Sequence, residues 1–125
     1  MSLLLDTHVL IWCLSEPRRL SEVTRRAIVD PGTRVFVSAA SVWEISVKEN
    51  LGKLDVPADL EDQMELQRFE PLNITMAHAK AAGALPRHHD DPFDRMLVAQ
   101  ALAEGLTIVT RDPRIARYSV PTLAT

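Results

Sequence analysis

Short apolar runs alternate with amphipathic segments along the whole chain. The runs with the character of buried strands cover residues 3–5, 35–37, 72–74 and 107–110, and a last strand is expected near Val120. The segments with helical periodicity or capping signals cover residues 8–14, 21–30, 39–50, 58–68, 75–85 and 91–104. Strands that alternate with helices predict an α/β fold, a three-layer sandwich whose mainly parallel sheet of about four to five strands is flanked by helices.

Length and composition fit one ordinary globular domain over residues 1–125. Apolar residues make up 46% and charged residues 25% of the chain, which is close to the average for soluble proteins. The single cysteine excludes an internal disulfide framework and a cysteine-based zinc site. No apolar run approaches the roughly 18 residues that span a bilayer, and the first residues lack the basic region of a signal peptide. We therefore expect a cytoplasmic protein with no membrane partner.

The net charge of −3 argues only weakly against a nucleic-acid partner. It comes from 14 basic and 17 acidic residues, and acids gathered at one metal ion would leave the rest of the surface close to neutral. Charge therefore does not decide the function, and the positions of the acids carry more information.

Two acids directly follow predicted strands. Asp6 ends the run 3–5, and Asp112 comes just after the run 107–110. Ligands of open α/β sheets bind outside the carboxyl ends of the strands, so both acids are candidate site residues. Each could equally be a turn former or a helix cap, and Pro113 strengthens that alternative for Asp112.

Two further acids lie on helices among apolar neighbours. Asp94 shares a helical stripe with four apolar residues: Leu97, Val98, Ala101 and Leu102. A capping role, with Asp91 as N-cap, explains Asp91 better than Asp94. Glu44 stands between Val42, Trp43, Ile45 and Val47, and its alternative role is an exposed ion pair with Lys48.

Carboxylates that converge on one point repel one another unless a cation lies among them. Oxygen ligands without cysteine favour Mg²⁺ or Mn²⁺, and such an ion suits phosphoryl transfer. His88 and His89 are adjacent in a loop and do not form the i, i+4 pair of a zinc helix, so we expect no metal role for them.

Four segments together resemble the PIN-domain ribonucleases, and specifically the toxins of VapBC-type toxin–antitoxin pairs. They are LLLDTHVLIW (3–12), VSAASVWEI (37–45), DPFDRMLVAQA (91–101) and IVTRD (108–112). The order and spacing of these blocks match the family over nearly the whole chain. One such block would be weak support, whereas four in order are strong.

The resemblance implies a set of roles for named residues. Asp6, Glu44, Asp94 and Asp112 would form the acidic pocket that holds Mg²⁺ or Mn²⁺, and a metal-activated water would hydrolyse single-stranded or structured RNA. Thr110 would be a polar helper, Asp91 mainly a helix cap, and Arg95 and Arg111 possible RNA contacts. The resemblance further implies a homodimer that is inhibited by a cognate VapB-type antitoxin.

Two other functions compete with this interpretation. A phosphatase of the haloacid dehalogenase type also uses an Asp at a strand end, but it needs a second Asp two residues later, where this chain has His8. A PIN-like binding module without catalytic turnover is the remaining alternative, and the four acids argue against it.

Overall fold

A five-stranded parallel sheet forms the centre of the structure, a computed structural model that describes all of residues 1–125. The strands are β1 (Ser2–Leu5), β2 (Arg34–Ser38), β3 (Glu70–Leu72), β4 (Thr107–Thr110) and β5 (Thr122–Ala124). Their order across the sheet is β3-β2-β1-β4-β5, and every neighbouring pair is parallel. All carboxyl ends therefore meet at one edge, and the predicted α/β fold is confirmed.

Six helices cover the two faces of the sheet. They are α1 (Thr7–Ser15), α2 (Glu22–Val29), α3 (Ala39–Asn50), α4 (Leu60–Leu66), α5 (Met76–Ala84) and α6 (Pro92–Glu104). Two 3₁₀ turns, Pro17–Arg19 and Ile115–Arg117, complete the regular structure. None of the helices combines the length and the apolar character needed to cross a membrane.

The central strand β1 separates two hydrophobic cores. Leu3 and Leu5 belong to the core under α1 and α3, whereas Leu4 points to the opposite core with Leu97 and Ile108. The side chains of a strand alternate between faces, so one apolar run serves both layers. All three leucines are fully buried, and each contributes roughly 1.5–3 kcal/mol of burial free energy. This packing holds the carboxyl end of β1 in place.

The two outer strands are displaced by a few residues from the positions that the sequence predicts. The strand expected at 72–74 is β3, at Glu70–Leu72, because Glu70 continues the pairing with β2 and its carboxylate accepts two hydrogen bonds from Arg34, at 2.7 and 2.9 Å. Pro71 reads as a helix breaker in the sequence, yet an edge strand tolerates proline because one of its sides needs no partner.

The last strand is also shifted. The strand expected near Val120 is β5, at Thr122–Ala124, while Val120 is buried in the core beside Leu4. The carbonyl of Pro121 accepts a hydrogen bond from the Ile108 amide at 2.9 Å, and this contact sets the start of the β4–β5 pairing. The helix predicted at 58–68 is shorter, at Leu60–Leu66, and Arg68 ends that region with a left-handed φ of 60°.

Candidate functional site

The carboxyl edge of the sheet collects the four acids that the sequence singles out. Asp6 directly follows β1 and Asp112 follows β4, which are neighbouring strands. Glu44 lies on α3, which starts directly after β2, and Asp94 lies in the first turn of α6. In addition to burial, the charges of Glu44 and Asp6 raise the pKa of Asp94, and the charge of Asp112 raises the pKa of Asp6. The four carboxylates are therefore electrostatically linked.

Asp6 serves both the fold and the acidic group. Its Oδ1 accepts a hydrogen bond from the Val9 amide at 2.8 Å and caps α1, as the alternative interpretation of the sequence expected. Its Oδ2 accepts a 2.5 Å hydrogen bond from the Thr110 hydroxyl. The residue is only 5% exposed, and burial raises the pKa of the carboxyl above its ordinary value. A buried acid with a raised pKa is stabilised as an anion when a cation binds.

Glu44 is buried although it pairs with an exposed cation. Its Oε1 accepts a 2.6 Å hydrogen bond from the Thr7 hydroxyl, and its Oε2 pairs with Lys48 Nζ at 2.6 Å. The pair with Lys48 that the sequence allowed as an alternative therefore exists, and the Glu44 side chain is nevertheless only 4% exposed. The hydrogen bond to Glu44 raises the pKa of Lys48.

Asp94 faces the interior, as its helical stripe predicts. Leu97, Val98 and Ala101 on the same stripe are buried. The prediction that Leu102 also faces the core is wrong, because this residue is 47% exposed. Burial and then the charge of Asp91 raise the pKa of Asp94 to about 7. Asp91 caps α6 by accepting hydrogen bonds from the amides of Phe93 and Asp94.

Asp112 completes the group and is tied to Asp6 through Thr110. Its amide donates to the Thr110 hydroxyl oxygen at 3.0 Å, while that hydroxyl donates to Asp6. The Arg114 guanidinium forks onto the carboxylate, with Nη2 2.9 Å from Oδ2 and Nε 3.1 Å from Oδ1. This hydrogen bonding lowers the pKa of Asp112, which stays ionised.

His89 is the site residue that the sequence does not predict. Its Nε2 lies 2.8 Å from Oδ2 of Asp94 and 3.3 Å from Oδ2 of Asp112. These three residues form a tight group whose potential ligand atoms all lie within 4.8 Å of one another. A histidine in a polar loop has no periodicity, and its position two residues before the cap Asp91 is the only signal the sequence offers.

The side chains of the two arginines expected to contact RNA bond to other groups of this chain. Both terminal nitrogens of Arg95 donate to groups of this chain, namely the carbonyls of Ala82, Leu85, Pro86 and His89 and the hydroxyl of Tyr118. Arg111 donates to the carbonyls of Thr125 and Arg19 and stacks 4.4 Å above the ring of Trp12. These contacts favour structural roles for both guanidinium groups, and neither is brought to the four acids.

The donor set fits a hard divalent cation. The four carboxylates form ion pairs with only two cationic side chains, Lys48 and Arg114, so the site has a net negative charge. Cysteine is absent from the group, and carboxylate oxygens are the ligands that Mg²⁺ and Mn²⁺ prefer. Asp94 and Asp112, whose ligand atoms lie close together beside His89, could hold the ion, and Asp6 and Glu44 add negative charge to the same site.

Comparison with known proteins identifies the family of this chain. The family model described as PIN domain matches residues 3–121, so the chain belongs to the PIN domain family. It is 32% identical over 123 residues to Ribonuclease VapC22 of Mycobacterium tuberculosis, covering 96% of this chain and 94% of that protein. The resemblance drawn from the four sequence blocks is thereby confirmed.

Solved structures show the same fold at low sequence identity. VapBC2 from Rickettsia felis, bound to a DNA fragment from its promoter, aligns with a TM-score of 0.74 and 15% identity, over 99% of this chain and 98% of that chain. FitAcB from Neisseria gonorrhoeae aligns with a TM-score of 0.65 and 20% identity, over 97% and 96%. Both resemblances extend over nearly the full length of this chain.

Proposed function

We propose that this protein is a metal-dependent endoribonuclease that acts as the toxin of a VapBC-type pair. The observation that carries the proposal is the convergence of four carboxylates at one sheet edge with only two cations to offset them. Its similarity over almost the full length to a protein named a ribonuclease supports RNA as the substrate. Mg²⁺ or Mn²⁺ is the proposed cofactor.

The protein's own residues prepare the site for hydrolysis of a phosphodiester. Bound Mg²⁺ or Mn²⁺ supplies an activated water and offsets the charge of the phosphodiester. Thr110 fixes one oxygen of Asp6, and Thr7 fixes one oxygen of Glu44, so these two carboxylates are oriented before a ligand arrives. Preorientation of this kind reduces the reorganisation needed for binding.

Lys48 and Arg114 bring positive charge to the rim of the same site. Each pairs with one acid, and their side chains are 38% and 58% exposed. Because they form ion pairs with acids of the proposed metal centre, we take them, in place of Arg95 and Arg111, as candidate contacts for an RNA phosphate. Both are held by an acid and still reach solvent.

Cleavage of RNA with matched variants tests the proposal. The purified protein is incubated with several single-stranded RNAs, with and without Mn²⁺ or Mg²⁺. We expect metal-dependent cleavage that Asp94→Asn lowers on the order of 100-fold or more, while Asp90→Asn, an exposed acid in the adjoining loop, leaves it unchanged. Full activity of the Asp94 variant would overturn the assignment of the site.

A PIN-like binding module without turnover is the competing function. Titration calorimetry with Mn²⁺ and a cleavage assay separate the two. An inert module would bind RNA without cutting any sequence offered, whereas the nuclease cuts at least one in the presence of metal. The name of the similar mycobacterial protein favours the nuclease.

An apolar groove between α3 and α4 is the proposed binding site of a VapB-type antitoxin. It has a volume of about 730 Å³ and is lined by Trp43, Met64 and Phe69, and Trp43 is 61% exposed. Several similar structures are toxin–antitoxin complexes, which supports a small protein partner.

We further propose a cytoplasmic homodimer, in which exposed apolar residues such as Val23 on α2 and Leu66 on α4 become covered. A monomeric mass in light scattering would count against the dimer.

A further inference from the structure

The Nε2 atom of His89 is the one buried side-chain nitrogen or oxygen that completes no hydrogen bond. Its side chain is 1% exposed, and Nε2 lies at the acidic group with neither neighbouring carboxylate oxygen in line with the ring N–H. A buried polar atom without an aligned partner is costly, so its position calls for a functional explanation.

The second ring nitrogen fixes where the proton of the neutral ring resides. Nδ1 accepts a hydrogen bond from the Asp91 amide at 3.2 Å, so Nδ1 carries no proton and Nε2 carries it. Nε2 itself lies 2.8 Å from Oδ2 of Asp94 and 3.3 Å from Oδ2 of Asp112. The Nε2–H group therefore lies beside both carboxylates without completing a hydrogen bond to either.

The two carboxylates differ in how firmly they are held. Asp112 is held by Arg114, whereas no side-chain donor other than His89 contacts the carboxylate of Asp94. The two acids come from different segments, the first turn of α6 and the loop after β4, and their like charges push them apart. The partial positive charge of an N–H group placed beside both oxygens counteracts that repulsion.

We propose that His89 is a positioning residue of the metal centre, whose Nε2–H holds Asp94 and Asp112 together in the arrangement that a divalent cation needs. The inference rests on the metal centre of the proposed function. Because the protonated Nε2 has no lone pair to offer, His89 is not itself a ligand. The ion is bound by carboxylate oxygens, and His89 acts through them.

Two substitutions separate the two nitrogens of the ring. His89→Asn places an amide oxygen near the position of Nδ1, so it keeps the acceptor for the Asp91 amide and loses the donor between the acids. His89→Gln extends an amide N–H to the region of Nε2 and restores that donor. Circular dichroism melting of both variants confirms that each is folded.

Titration calorimetry of Mn²⁺ into the wild type and both variants tests the inference. We expect the Mn²⁺ affinity to fall about 10- to 100-fold in His89→Asn and to stay within about 3-fold of wild type in His89→Gln. An unchanged affinity in His89→Asn, or an equal loss in both variants, would overturn the positioning role.

Pulsed electron paramagnetic resonance of the Mn²⁺-loaded wild type distinguishes a positioning group from a ligand. We expect no coupling to a directly bound histidine nitrogen, and observation of such a coupling that disappears in His89→Asn would overturn the inference and leave the metal centre intact. A wild-type protein that binds no Mn²⁺ at all would instead overturn the proposed function, and this inference with it.

Discussion

Thr110 donates a 2.5 Å hydrogen bond to Asp6, across two neighbouring strands and 104 positions of sequence. The hydroxyl sits at the end of β4 and the carboxylate just past the end of β1, and both residues are buried. The same hydroxyl oxygen accepts from the Asp112 amide, so one threonine links two of the four acids. Removal of that hydroxyl is therefore the most direct test of how the group is held.

Replacement of Thr110 by valine keeps the β-branched shape and deletes the hydroxyl. Asp6 loses a hydrogen-bond donor while it stays buried, so we expect the free energy of unfolding to fall by about 1–3 kcal/mol. Urea unfolding measures this loss. Thr107→Val on the same strand is the control, because the Thr107 side chain makes no hydrogen bond, and an equal loss in both variants would contradict the assigned role.

The raised pKa of Asp94 makes stability depend on pH in an unusual direction. The pKa is about 7 in the folded protein against an ordinary value of 3.8, so the folded state binds this proton more tightly than the unfolded state does. The stabilising contribution is complete below pH 3.8 and is lost as the pH rises to about 7. Asp94→Asn removes this dependence.

We therefore expect Asp94→Asn to gain stability relative to wild type as the pH rises from 4 to 8, by on the order of 2 kcal/mol, when both proteins are kept in chelator. Urea unfolding at several pH values measures the difference between the two proteins. A difference that stays constant over that range would show that Asp94 is already ionised at low pH. Asp90→Asn provides the exposed control.

A divalent cation should stabilise the fold through the same acids. Because the ion binds the folded protein, we expect Mn²⁺ at 100 times its dissociation constant to add about 2.7 kcal/mol to the free energy of unfolding. At one fixed Mn²⁺ concentration, the gain should be larger at pH 8 than at pH 6, since Asp94 must lose its proton to bind the ion. Melting temperatures with Mn²⁺ and with chelator measure it, and an equal gain in Asp94→Asn would place the ion elsewhere.

The sequence predicts the position of these acids in the fold because parallel topology determines which edge they share. Asp6 and Asp112 follow strands, and the carboxyl ends of neighbouring parallel strands necessarily share an edge. The apolar stripe beneath Asp94 likewise predicts that its carboxylate faces inward. These conclusions depend only on local pattern and on the rules of sheet formation.

The sequence does not predict the contacts of His89 and Arg95, because loop conformation determines which partners these side chains reach. His89 reaches Asp112 from 23 positions away, after the chain has passed through α6 and β4. Arg95 turns back to carbonyls in the last turn of α5 and just after it, an approach that no periodicity predicts. The edge strand β3 was displaced for a similar reason, since the long-range pair of Arg34 and Glu70 helps to set its register.

Arg95 provides the last prediction, because its guanidinium bonds to the segment between α5 and α6. It donates to several carbonyls at the end of α5 and to the hydroxyl of Tyr118, which are bonds that a methionine of similar length cannot make. We expect Arg95→Met to lower the free energy of unfolding by about 2–4 kcal/mol, since charge-assisted bonds are lost and several carbonyls are left unpaired.

Urea unfolding measures that loss, with Arg87→Met as the control at an exposed position of the same loop. Binding of a single-stranded RNA to the folded Arg95 variant, measured by fluorescence anisotropy, should stay within about 3-fold of wild type, because a guanidinium whose terminal nitrogens are already bonded contributes little to phosphate binding. A stable variant with much weaker RNA binding would restore Arg95 as an RNA contact.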